Sequence, residues 1–238
     1  MTSKPLIVAM GGGGFSMAPD NGLLDTFVLQ LARERTGRER PRVCWIGTAG
    51  ADSDRELLAF HLAFADRAEP RYLGLFNRTV RDIEGFLLDQ DLIYVGGGNT
   101  ANMFVIWRLH GVDLALRAAW AAGVVLAGMS AGGICWFEGC TTDSFGPELQ
   151  PLRDGLGILG GSFCPHFDGE AQRRSTYHAL VASGGLPPGY AVDDGAALVF
   201  DGIELREVVS SRPNAAAYRV EAVNGTARET RLATRSLG

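Results

Sequence analysis

Gly123-Val124-Val125-Leu126-Ala127-Gly128-Met129-Ser130-Ala131-Gly132 is the stretch on which the reading of this chain turns. An apolar run without polar alternation, closed by a Gly-x-Ser-x-Gly pattern and followed by small residues, reads as a buried parallel strand bent sharply into a helix. In that strand-turn-helix setting the pattern carries chemical meaning: the serine sits on a strained bend with its hydroxyl exposed. Glycines two positions to either side remove the Cβ atoms that would collide where strand and helix cross. The helix that follows adds a positive N-terminal dipole and free backbone N–H groups near a developing oxyanion. The competing reading of Ser130 is a helix cap among small packing residues.

Working outward in both directions, short apolar runs bounded by glycine alternate with segments of helical periodicity. Strands are expected at 6–10, 42–47, 71–76, 92–95 and 124–127, with helices at 22–35, 53–66, 80–89, 100–109 and 112–121 between them. This alternation predicts an α/β fold, a three-layer sandwich with a mostly parallel central sheet. Beyond Ser130 the rhythm changes to a short helix, an irregular stretch over 139–155, a strand over 156–164 and a helix over about 170–182. The segments 196–200, 204–209 and 217–223 read as a short antiparallel meander at the end of the sheet, and the polar tail beyond Asn224 reads as frayed. The whole chain, 1–238, is taken as one domain.

Composition narrows the class of function. With 46% hydrophobic residues and a net charge of −5, the chain can build a packed core and carries no basic run that would mark a nucleic-acid partner. The apolar stretch before Gly11 is too short for a signal-peptide core or a membrane span, so a cytoplasmic protein with no membrane partner is expected. The four cysteines, Cys44, Cys135, Cys140 and Cys164, lack metal-ligand spacing and read as reduced, mostly buried thiols. No metal site is expected.

An acyl-transfer site needs a second oxyanion donor, a base and an orienting acid. Asp91-Leu92-Ile93-Tyr94-Val95-Gly96-Gly97-Gly98-Asn99 runs a strand into bare glycine amides at its carboxyl end, the end from which Ser130 also emerges. Among the four histidines, His166 stands apart: it follows a hydrophobic strand and Pro165, whereas His61, His110 and His178 fall on or at the ends of helices. A neutral imidazole at that position would supply the base that a serine hydroxyl lacks by itself. The acid is left among Glu138, Asp143 and Glu148, with Asp143 ranked first and Glu148 second. The early run Gly11 to Gly14 fails the dinucleotide fingerprint, which would require glycine where Ser16 or Met17 stands. Close packing beside the site accounts for those glycines.

Taken together, Val95-Gly96-Gly97-Gly98-Asn99, Gly128-Met129-Ser130-Ala131-Gly132, Thr141-Thr142-Asp143 and Pro165-His166-Phe167 occur in the order and approximate spacing of peptidase family S51, which the chain resembles from about residue 5 to 222. The resemblance implies a fold similar to class I glutamine amidotransferases and hydrolysis of dipeptides with an N-terminal aspartate. It implies no metal or organic cofactor, a small peptide as partner, and assembly as a monomer or homodimer. It assigns Ser130 as nucleophile, His166 as base and Asp143 as the nearest match to the third residue, although the family's aspartate usually stands where this chain has Ser144. It gives Gly98 and Ala131 as oxyanion donors, with Asn99 and Arg173 as substrate contacts and Arg174 as the next candidate cation. The elbow fixes reaction type and not specificity. Another amide substrate, as in the cyanophycinases that share the fold, and a non-catalytic small-molecule sensor are the alternatives.

Overall fold

The first half of the chain follows its hydrophobic pattern closely. In the computed structural model, which describes residues 4–238, the elements in order are β1 (Leu6–Met10), α1 (Gly14–Met17), α2 (Leu23–Thr36), β2 (Arg42–Ile46), α3 (Asp54–Phe64), β3 (Glu69–Tyr72), α4 (Ile83–Leu88), β4 (Leu92–Val95), α5 (Thr100–His110), α6 (Val112–Ala121) and β5 (Val125–Met129). The start read at Met1 to Pro5 falls in part, over Met1 to Ser3, outside the described residues. Local chemistry sets the helix ends: Asp82 and Asn99 accept the N–H groups of Gly85 and Asn102 at the starts of α4 and α5, and Gly37 and Gly111 end α2 and α5 in left-handed conformations.

β1, β5, β4, β2 and β3 are parallel neighbours in that spatial order. Alternate residues of each strand face opposite layers. Leu6, Val8 and Met10 of β1 join Trp45, Tyr94 and Met129 in a core beneath α2 and α3, while Ile7 and Ala9 join Ile46, Val95, Trp107 and Leu116 beneath the helices of the other face. Phe15, Trp45, Phe60, Phe64 and Tyr94 form an aromatic cluster in the first of these cores, with Trp45 stacked on Phe60 at 5.8 Å. Each such buried side chain contributes roughly 1.5–3 kcal/mol relative to exposure, which explains why these strands show no polar alternation. The strand expected at 71–76 stops at Tyr72, because the N–H groups of Leu75 and Phe76 donate to the Asp52 carboxylate instead of to a sheet neighbour.

The second half departs further from expectation. It contains α7 (Ala131–Ile134), β6 (Phe137–Thr142), β7 (Gln150–Leu152), β8 (Leu159–Cys164), α8 (Arg173–Ala182), β9 (Gly189–Val192), β10 (Ala196–Asp201), β11 (Glu204–Ser210), β12 (Ala217–Val223), β13 (Thr226–Arg231) and β14 (Thr234–Ser236). The described residues form two sheets, an eight-stranded one ordered β14-β11-β10-β1-β5-β4-β2-β3 and a six-stranded one ordered β13-β12-β9-β8-β6-β7. The region read as irregular over 139–155 therefore holds a strand and the end of another. The expected three-strand meander is divided: β10 and β11 extend the larger sheet, but β12 pairs with β9 in the smaller one. The tail read as frayed supplies β13 to the smaller sheet and β14 to the larger. Its polar composition reflects an exposed edge, where charged side chains are the norm, and not disorder.

The smaller sheet packs α8 against one face through Phe167, Tyr177 and Val181, while Phe137 and Phe163, stacked at 5.0 Å, join its other face to the core of the larger sheet. Parallel strands at the centre of both sheets flanked by helices give the mixed α/β architecture that the chain's alternation predicts.

Candidate active site

Ser130 stands between β5 and α7 with φ 53° and ψ −116°. A non-glycine residue on the positive-φ side is strained, by about 1–3 kcal/mol, and persists only where packing enforces it. The flanking glycines are part of that enforcement: a Cβ on Gly128 would lie 2.2 Å from the Gly132 carbonyl oxygen, and one on Gly132 would lie 2.2 Å from that of Val95. The hydroxyl makes no cap bond to α7, which removes the helix-cap reading. It lies 2.8 Å from Nε2 of His166, 36 residues along the chain.

His166 follows β8 and Pro165 and has φ 52°. Its Nδ1 lies 2.6 Å from Oδ1 of Asp194, in the loop that carries the chain from β9 of the smaller sheet to β10 of the larger one. The hydrogen bond from His166 holds the Asp194 carboxyl below the usual carboxylate range, against the opposing effect of its partial burial. An ionised carboxylate can only accept, so Nδ1 donates to it and the Nε2 lone pair is left to accept from the Ser130 hydroxyl. That is the protonation pattern required of a general base.

The carboxylate that meets His166 is thus neither Asp143 nor Glu148, the two sequence candidates. Asp143 is exposed on the turn after β6, Glu148 is exposed in the loop before β7, and Glu138, on β6, accepts the Gly161 N–H. Asp143 lines one cavity with the serine-histidine pair but is not bonded to it, and beside it Ser144 pairs its hydroxyl with that of Thr142 and accepts from the Ala101 N–H and, at its carbonyl, from the Asn99 amide. The sequence signal for this acid is Asp193-Asp194-Gly195 directly after the apolar run of β9, a carboxylate at a strand's carboxyl end that lies beyond the histidine and not between serine and histidine.

The loop bearing Asp194 is fixed from several sides. Asp168 accepts its N–H at 2.9 Å, Arg212 spans its carbonyl and the Asp168 carboxylate, and Asp193 turns inward to accept the Ala216 N–H. The glycine run after β1 packs against it. A Cβ on Gly12 would stand 2.1 Å from Asp194 Oδ1 and 2.9 Å from the imidazole, and Gly195 donates to the Gly12 carbonyl at 2.9 Å. Close packing, as the sequence suggested, is what these glycines permit.

A cavity of about 430 Å³ opens over the pair, lined by Ser16, Glu56, Gly97, Gly98, Ser130, His166 and Glu170 among others. Its size falls within the ~300–1,000 Å³ typical of small-molecule sites. Gly98 lines it at the carboxyl end of β4, and Ala131 opens α7, where the first-turn N–H groups have no intrahelical acceptor. Both expected oxyanion donors are therefore beside the serine. Asn99 reaches the adjoining cavity of about 330 Å³ while capping α5 and donating to the Ser144 carbonyl at 3.1 Å.

Arg173 lines that second cavity together with Ser130 and His166. It is only 4% exposed, Glu170 holds it by two hydrogen bonds of 2.7 and 3.2 Å, and its Nη1 is buried without a hydrogen-bond partner. Arg174 is committed elsewhere, paired with Glu229 and lying over the rings of Phe167 and Tyr218. Cys135, five residues after the serine, is fully buried, and burial pushes its thiol well above the ordinary range, so it offers no thiolate nucleophile.

Comparison with known proteins places the chain in a family. Residues 7–208 match peptidase family S51. The chain is 49% identical over 233 residues to the uncharacterized peptidase YgaJ of Bacillus subtilis (strain 168), covering 98% of this chain and 99% of that one. Its fold is similar to that of a peptidase from an acI-B1 Actinobacterium, with a TM-score of 0.70 at 18% identity over 98% of this chain and 96% of the other. It is similar also to a putative peptidase E protein from Listeria monocytogenes EGD-e, with a TM-score of 0.60 at 17% identity over 97% of this chain and all of the other.

Proposed function

The chain belongs to peptidase family S51, and from that premise we propose that it is a serine-type dipeptidase that cleaves Asp-Xaa dipeptides through an acyl-enzyme. One observation carries the reading: a hydroxyl, an imidazole and a carboxylate joined in series at 2.8 and 2.6 Å, at the floor of a cavity. Ser130 Oγ attacks the peptide carbonyl carbon while its proton passes to His166 Nε2, and Asp194 stabilises the imidazolium so formed. The N–H groups of Gly98 and Ala131 receive the oxyanion. The imidazolium then protonates the leaving amine as the C–N bond breaks, leaving an ester on Ser130. Water, deprotonated by the same imidazole, attacks that ester and returns the hydroxyl and the free acid.

Support for the aspartate comes from Arg173, a buried cation beside the serine with one guanidinium nitrogen still unpartnered. A guanidinium can hold a carboxylate by two parallel hydrogen bonds, which gives an acidic protein a local means of attracting an anionic substrate. Glu170 favours a second reading. Because it already matches the charge of Arg173 by a two-point pair, a short peptide without an N-terminal acid is also accommodated unless Glu170 swings away.

Labelling with a fluorophosphonate probe tests the serine mechanism: an adduct on Ser130, absent after heat unfolding, is expected, and no adduct on the folded protein refutes it. A panel of Asp-Leu, Ala-Leu and Leu-Leu tests specificity. Hydrolysis of Asp-Leu alone, lost in Arg173→Ala, supports the aspartyl reading, whereas equal rates on all three favour the second.

A further inference from the structure

Three carboxylates line the cavity over Ser130: Asp194, Glu170 and Glu56. The first is bonded to His166 and the second to Arg173. Glu56, in the first turn of α3, is different. Its Oε2 is buried and has no hydrogen-bond partner, and burial pushes the pKa of its carboxyl above the ordinary value. A buried carboxylate oxygen left without a donor carries a desolvation cost that an incoming cationic donor would relieve.

Glu56 also stands at a boundary. The cavity over the serine meets a second one, of about 350 Å³, at the two residues they share, Ser16 and Glu56. Gly97 neighbours both residues: the point where a Cβ on Gly50 would sit is 2.8 Å from Glu56 Oε2 and 3.6 Å from the Gly97 carbonyl oxygen, while a Cβ on Gly97 would be 3.2 Å from that of Ser130. Glu56 and Ser130 thus line one cavity, with Glu56 where that cavity meets the second. An acyl group bound to Ser130 carries its α-substituent one carbon away from the attacked carbonyl, so an ammonium there needs an acceptor on the cavity wall.

We propose that Glu56 is the anchor for the free α-ammonium group of the substrate, making the enzyme one that reads the N-terminus of a peptide and rejects a blocked one. This rests on the serine-peptidase reading and deepens it, since it names the group that distinguishes an N-terminal residue from an internal one. The ammonium donates to Oε2, giving that atom its missing partner and the ligand a charge-assisted hydrogen bond.

The test measures protection of Ser130 from the fluorophosphonate probe by Asp-Leu, by Leu-Leu and by the N-acetyl form of each, all in large excess over enzyme. For every variant, the concentration that halves its own unprotected labelling rate is compared between free and acetylated forms. In the native protein the free forms should protect at a concentration lower by about tenfold or more, as expected for one charge-assisted hydrogen bond. In Glu56→Gln that ratio should collapse toward unity, and Glu56→Asp should restore part of it. A ratio near unity in the native protein, no protection by either form, or a ratio preserved in Glu56→Gln overturns the anchor while leaving the serine mechanism standing. Absence of labelling in the native protein overturns both.

Discussion

Ser130 and Asp194 reach the same imidazole from regions built on different rules. The serine ends β5, which has parallel neighbours on both sides and helices on both faces, and its bend is dictated within a few residues by Gly128 and Gly132. Asp194 belongs to a crossing between sheets. Its position depends on Gly12 after β1, Asp168 after β8 and Arg212 after β11, contacts that span most of the chain. Locally enforced geometry can be read from a short stretch of sequence. Geometry enforced by remote segments cannot, however strong the contacts are once formed.

The widest gap between the two regions should appear in turnover. Ser130→Ala is expected to lower kcat by about four orders of magnitude or more with the fold intact, because nothing else in the cavity replaces the attacking oxygen. Dipeptide hydrolysis beside circular dichroism checks this, and substantial residual turnover would discard the serine arm. Asp194→Asn should cost about 10³- to 10⁴-fold, because the amide carries no charge to stabilise an imidazolium and its N–H, turned to Nδ1, fixes the wrong imidazole tautomer. Asp143→Asn should cost less than about tenfold, since Asp143 does not touch the imidazole. Should Asp143→Asn prove the more damaging, the reading of the second region is wrong.

A third comparison separates the regions by stability. Beneath the serine, Asp25 on α2 accepts the Tyr94 hydroxyl at 3.1 Å, and burial pushes its carboxyl up to about 6 from 3.8. A folded-state value above the unfolded one means the folded protein binds the extra proton. Stability from Asp25 is therefore present below about pH 4 and is lost as pH rises toward 6, by on the order of 3 kcal/mol. Asp194 has the opposite sign, its lowered value giving stability that is lost on acidification. In urea unfolding from pH 4 to 7, the difference between native protein and Asp25→Asn should follow the first trend; a pH-independent difference would contradict it. A loss between those of Asp194→Asn and Asp143→Asn is expected from Gly12→Ala, where the added methyl presses on Asp194 and His166. It should reduce kcat by up to about a hundredfold through misplacement of those groups, with a much smaller change in melting temperature.

These differences explain what the sequence made legible. The parallel half was readable because β1, β2, β4 and β5 are buried on both faces and leave continuous apolar runs, and the elbow was readable because two steric demands recur at fixed spacing. His166 was found from Pro165 and the strand before it. The smaller sheet was not resolved: β8 is interrupted by Gly160 and Gly161, β7 holds Pro151, and β13 faces solvent, so none shows a clean periodicity. Membership of the smaller sheet is a long-range property, which is why β12 was assigned to the wrong neighbour. Asp194 followed the same logic. Its sequence surroundings describe a turn, and only the meeting of two sheets turns that carboxylate toward an imidazole.

The crossing of the chain between sheets at Asp194 has a bearing on folding. The Ser130 hydroxyl has its imidazole neighbour only when the smaller sheet is in place, since His166 follows β8 of that sheet. Completion of the site therefore waits on both sheets, because the hydroxyl belongs to one, the imidazole to the end of a strand of the other, and the carboxylate to the crossing that joins them.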